Sequence, residues 1–129
     1  MREEHGSFEF ELKGQVLIMR PIGAWNVETA IRCCLEYKAL AETINHSPWA
    51  CVVNLLSWEL GTPDIWPEID AVNAWADNHN EKFEAVICLT AIQTMLLEKT
   101  YDKFINVQTR FFETETESLE WINSNGIKS

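Results

Sequence analysis

Three histidines, four cysteines and twenty carboxylates are the side chains of this 129-residue chain that could carry acid–base, nucleophilic or metal chemistry, and their spacing argues against most of it. His5, His46 and His79 fall in a terminus and two turns, and none stands beside a serine or cysteine as a nucleophile's general base would. Asp70, Asp77 and His79 form the best carboxylate–imidazole grouping. Both aspartates, however, fall on the polar face of a helix, where a solvated surface is expected and not a metal site. The cysteines form no CxxC pair and have no histidine at ligand spacing, so no zinc site is signalled. Cys51 and Cys88 sit inside apolar runs and are expected to be inert core residues. Cys34 falls on the apolar side of its helix, which leaves Cys33 as the one thiol expected to react. The five glycines never compose a phosphate-cradling loop. No catalytic residue, cofactor or metal ligand is therefore expected.

Binding is better signalled than catalysis. Of six tryptophans, Trp25, Trp58 and Trp66 fall just beyond strands or in the first turn of a helix, the rim where open α/β sheets take their ligands. With Asn26 and the loop from Ser57 to Thr62 they make a candidate rim, either an aromatic-lined cleft or a protein-docking patch. The alternative role for such rings is to cap the core.

The elements that must position this rim follow from the periodicity. Residues 8–13 alternate Phe8, Phe10 and Leu12 with Glu9, Glu11 and Lys13, the pattern of an edge strand with one wet face. Gly14 turns the chain, and residues 16–22 are apolar on both faces, so an antiparallel hairpin opens the fold. Behind Asn26 as N-cap, Val27, Ala30, Ile31, Cys34, Lys38 and Ala41 recur at helical spacing. Residues 49–56 are a continuous apolar run, expected as the central strand. Thr62 and Pro63 read as a helix start, with the hydroxyl as cap, ahead of an apolar stripe of Ile65, Ile69, Val72 and Ala76 bordered by Trp66 and Trp75. Residues 83–89 and 107–112 are further strands. Residues 94–104 form a helix with Leu97, Tyr101 and Phe104 inward, and Thr114 with Glu117 makes a capping box before a last helix carrying Leu119, Trp121 and Ile122. The order ββαβαβαβα implies an α/β fold in one domain, residues 1–129. Its five-stranded sheet should be mainly parallel with the first strand antiparallel, with helices packed on its faces.

A composition of 47% apolar and 23% charged residues is that of a globular domain. The apolar runs stop well short of the ~18 residues a membrane span needs, and the acidic opening is unlike a leader peptide, so a cytoplasmic protein is expected. The net charge of −10 is spread over both halves and no two basic residues are adjacent, which argues against nucleic acid and anionic membranes as partners.

The strand of residues 16–22 leads into Gly23, Trp25, Asn26, Thr29 and Ala30, and this opening resembles that of STAS domains, the family of the bacterial anti-sigma-factor antagonists. The element order agrees from Phe8 to about Ile122, and the Pro48-Trp49-Ala50 and Leu119-Glu120-Trp121-Ile122 stretches look most like a divergent bacterial branch whose roles are mostly unknown. The resemblance implies a non-catalytic regulatory or protein-interaction module, with a protein partner or a second copy of the chain as its target. The alternative is a binder of a small apolar or lipid-like molecule at the tryptophan rim. The family's phosphoacceptor lies in an Asp-Ser-Ser/Thr-Gly turn, which residues 57–64 lack; Thr62 is the nearest hydroxyl by register and Ser57 the second. Without that turn, and with Pro63 following, most of the protein is expected to be unphosphorylated. Intact-mass analysis of protein from its native host checks this, and a stoichiometric phosphate mapped to Thr62 would restore the antagonist-type switch.

Overall fold

A strand that is apolar on one face belongs at a sheet's edge and one apolar on both belongs inside it, and the strands line up accordingly. The computed structural model describes residues 3–129. Strand β1 (Ser7–Lys13) pairs antiparallel with β2 (Val16–Trp25), placing Phe10 opposite Met19. Every other pairing is parallel: β2 with β3 (Trp49–Asn54), β3 with β5 (Glu81–Ile87) and β5 with β6 (Gln108–Phe112). The sheet runs β1-β2-β3-β5-β6 with β3 at its centre, as its five consecutive buried apolar residues, Trp49 to Val53, require. A sixth, short strand, β4 (Trp58–Gly61), lies off this path and pairs with the far end of β2, Gly23 opposite Trp58 and Trp25 opposite Gly61. Four residues with three of them exposed are too short and too polar to read as a strand.

Helices α1 (Val27–Ala41) and α2 (Trp66–Asp77) cover one face of the sheet, joined by Leu97 of α3 (Ala91–Tyr101). Helix α4 (Glu115–Ser124) covers the other, where Ile122 meets Val16, Ile18, Ala50, Val52, Ala85 and Ile87. Two of the helix starts follow local chemistry. Asn26 accepts the Thr29 amide at 3.2 Å, and Thr114 accepts that of Glu117 at 3.2 Å. Thr62 does not cap. Its hydroxyl donates to the Asp64 carboxylate, while its backbone carbonyl takes the Ile65 amide at 3.1 Å, closing the short 3₁₀ turn Pro63–Ile65 that precedes α2.

The buried stripe of α1 is Thr29, Ala30, Cys33, Tyr37 and Ala41, turned about one residue from the stripe that apolarity alone suggests. The Thr29 hydroxyl donates to the His5 carbonyl at 2.7 Å, and the Tyr37 ring packs edge-on to Phe10 and Trp49, so these polar residues take inward positions. Ile31 and Leu35 are left exposed, and Cys33, expected to react, is buried. Burial raises its thiol pKa far above neutral and that of half-buried Cys34 to about 11, so neither is a nucleophile. Asp77, placed by sequence on the wet face of α2, is likewise buried; its carboxylate accepts the amides of Ile105 and Asn106.

Gly61 is where β4 closes on β2. A Cβ there would stand 2.3 Å from the Trp25 carbonyl oxygen, which itself accepts the Thr62 amide at 3.0 Å. Gly61→Ala must push the two strands apart, with an expected loss of about 2–3 kcal/mol of unfolding free energy. Urea denaturation measures it, and an unchanged midpoint would show that the β2–β4 contact is looser than described.

Candidate functional site

At the far end of β2 and β4 the chain gathers its tryptophans. Trp25 ends β2, Trp58 begins β4 and Trp66 opens α2, and their rings meet edge to face with centroids 5.7 and 6.1 Å apart. Phe8 continues the series, 6.1 Å from Trp25. Beneath them, between the sheet and helices α1, α2 and α3, lies a small cavity of about 50 Å³, partly open to solvent. Its walls include Trp25, Trp58, Trp66, Tyr37 and Tyr101, and no charged residue lines it. The lining, not the size, is that of a site for an apolar organic group.

The six expected rim residues separate into three groups. Trp25 and Trp58 are 4% and 8% exposed, so they form walls of the cavity and not an open collar, with Trp66 half-buried beside them. Asn26 is buried and fully engaged: besides capping α1 it donates to the Glu3 carbonyl at 2.7 Å and accepts the His5 amide at 3.2 Å. Ser57 and Thr62 are exposed at the two ends of β4. The Trp25 indole donates to the Ser7 carbonyl at 3.0 Å, whereas the buried Trp58 Nε1 has no acceptor. The carboxylate–imidazole grouping does not assemble. Asp70 pairs with Lys103 at 2.8 Å, Asp77 holds two amides, and His79 stacks on Trp75. Among the described residues no His, Cys, Asp or Glu cluster could hold a metal, and no helix is long and apolar enough to cross a membrane.

One feature of the site escapes sequence reasoning. Glu81 and Glu84 of β5 are 0% and 1% exposed. Three residues apart on a regular strand they would point to opposite faces. The register slips here, with Trp49 opposite Glu81 but Ala50 opposite Phe83, so Lys82 is a bulged residue and both carboxyls face α1, α2 and α3. The signal in the sequence was Glu81 itself, a charge just ahead of an apolar run, which reads more simply as a turn residue. Neither Glu81 oxygen has a hydrogen-bond donor. Its polar neighbour is the Glu84 carboxyl, and that contact requires a proton on one of the two acids. Burial pushes Glu84 up to about 7, against the opposing hydrogen bonds from Glu81 and Tyr101. Burial raises Glu81 further, reinforced by Glu84 and Asp77.

No protein-family model and no curated protein matches this chain in sequence. Solved structures do match in shape. An uncharacterised protein of the DUF3478 family with a SpoIIAA-like fold, from Shewanella loihica PV-4, superposes with a TM-score of 0.71 at 16% identity, over 94% of this chain and 98% of its own. An anti-sigma factor antagonist from Mycobacterium paratuberculosis gives 0.63 at 13% identity, over 92% and 95%. The chain thus has a SpoIIAA-like fold, in agreement with the order of elements expected from its sequence.

The acid pair sets the sign of a pH dependence. A carboxyl that titrates near 4.5 when unfolded and near 7 when folded holds its proton more tightly in the native state, so its contribution is fully present below pH 4.5 and lost as pH rises to about 7. For Glu84 the loss is about 3 kcal/mol. Glu115, held below its usual range by Arg20, acts in the opposite sense only in more acid solution. Urea denaturation between pH 5 and 8 should show stability falling, and Glu84→Gln should flatten the profile and be the more stable protein at pH 8. A profile that rises with pH would mean that the acids are ionised and paired.

Proposed function

We propose that this chain is a non-catalytic, cytoplasmic regulatory domain that holds a small apolar ligand under Trp25, Trp58 and Trp66 and meets a protein partner on the surface between Ser57 and Thr62. The observation that carries the reading is the cavity itself: apolar walls, no charge, and one buried indole N–H, that of Trp58, without an acceptor. A ligand that is largely hydrocarbon but carries one acceptor oxygen would supply the missing partner, and leaving that donor unpaired otherwise costs about 1–3 kcal/mol. The two cavity-lining thiols are held protonated, so the site offers binding and not covalent chemistry.

The partner surface rests on the likeness to an anti-sigma factor antagonist and on Leu56 and Leu60, which stand exposed on either side of Trp58. Because β4 carries both Trp58 and this surface, a ligand that shifts the Trp58 ring would shift the exposed end of the same strand. That is the physical sense in which the domain is regulatory. Thr62 and Ser57 remain the candidate phosphoacceptors of this surface, and a phosphate there would add about −1.5 to −2 charge beside Glu59 and Asp64.

Native mass spectrometry of protein purified from its host is expected to show a bound small molecule, lost in Trp58→Ala. Trp49, fully buried and bonded to the His79 carbonyl at 2.7 Å, serves as the structural control. Trp49→Ala should cost about 3–5 kcal/mol, and Trp58→Ala less, since its ring borders a void. Equal destabilisation with unchanged binding would reduce the tryptophans to core caps. Copurification of a protein without any small molecule would leave docking as the function.

A further inference from the structure

The cavity and the acid pair, described separately above, are neighbours. Tyr37 and Tyr101 line the cavity, and both interact with Glu84. The titratable groups facing the pair are Tyr37 from α1, Cys51 from β3, Asp77 from α2 and Tyr101 from α3, and none of them can carry a positive charge. Two buried carboxyls therefore stand behind an aromatic wall with no resident cation, in a protein whose net charge is −10. A buried acid without a donor is costly, and the chain retains one, Glu81, three residues from the equally buried Glu84 and on the same face of the sheet.

Resting on the ligand reading above, we propose that the cavity binds an apolar organic cation, an alkyl- or aryl-ammonium compound. Five aromatic rings line the cavity and attract a poorly hydrated cation, and the carboxyls that interact with Tyr37 and Tyr101 supply the opposite charge within a low-dielectric interior. The Trp58 N–H suits an ether or carbonyl oxygen on the same molecule. An anionic lipid or fatty acid finds no guanidinium or ammonium on these walls and two acids behind them. A cation in the cavity favours the ionised form of the pair, so its binding should expel a proton from Glu84 to solvent and strengthen as pH rises from 6 to 8.

The test uses three probes of one shape: benzyltrimethylammonium, its neutral carbon isostere neopentylbenzene, and the anion 3-phenylpropionate. Each is titrated against the whole chain by tryptophan fluorescence, with calorimetry in two buffers to count protons. The cation is expected to bind at least tenfold more tightly than the isostere, to release a fraction of a proton at pH 7, and to outcompete the anion. Glu84→Gln should erase the proton release and reduce the preference for the cation at least fivefold while leaving the isostere's affinity unchanged. Glu81→Gln serves as the second variant, and the wild-type comparison stands even if neither variant folds. An isostere or anion that binds as well as the cation, without proton release, overturns the inference and leaves a plain apolar pocket. Failure of all three probes to bind overturns the ligand reading with it.

Discussion

A parallel sheet buried on both faces must be roofed twice, and this chain has only four helices with which to do it. One face is closed by α4 alone, with small and branched residues, Ala50, Val52 and Ala85, meeting Ile122 directly. The other is shared by α1, α2 and α3, whose large aromatic residues meet at angles and do not fill the space between them. The cavity is what remains when three helices and a set of edge-to-face rings are asked to cover a twisted surface. It lies toward the far ends of β2 and β4, where the sheet gains a sixth strand.

Local chemistry was legible and long-range geometry was not. The order of elements, the Asn26 and Thr114 caps and the antiparallel start could be read because each depends on residues within a few positions of one another. The gathering of Trp25, Trp58 and Trp66 could be read as well, since parallel connectivity sends successive strand ends to one rim. The face of α1 was misjudged because Thr29 and Tyr37 are polar by type but take inward places beside groups far away in the chain, the His5 carbonyl for the one and the rings of Phe10 and Trp49 for the other. The Thr62 cap failed because the chain first closes a 3₁₀ turn over Pro63–Ile65, with the Thr62 carbonyl taking the Ile65 amide, and α2 begins only at Trp66. Glu81 and Glu84 were hidden by a bulge, which changes the parity of a strand and leaves no mark on composition.

Polar groups inside this protein thus come in two kinds. Asn26 and Asp77 are buried with their hydrogen-bonding capacity met by backbone amides and carbonyls, and they fix chain segments in place. Glu81, the Tyr37 hydroxyl and the Trp58 indole are buried with theirs unmet at the cavity or behind it, as are Asn73 Nδ2 and Thr109 Oγ1 outside its lining.

Arg20 holds Glu115 by two bonds, at 2.8 and 2.9 Å, across 95 residues of sequence, and Asn54 adds a third at 2.7 Å. These bonds seat the start of α4 on β2 and β3. They also mean that a ribosome which has delivered all six strands has not yet delivered the cover for half of the sheet. Until the segment Glu115–Ser124 emerges, the nascent chain presents Val16, Ile18, Val52 and Ile87 to water as one continuous apolar surface. That surface is one a chaperone would recognise, and the docking of α4 is what removes it from water.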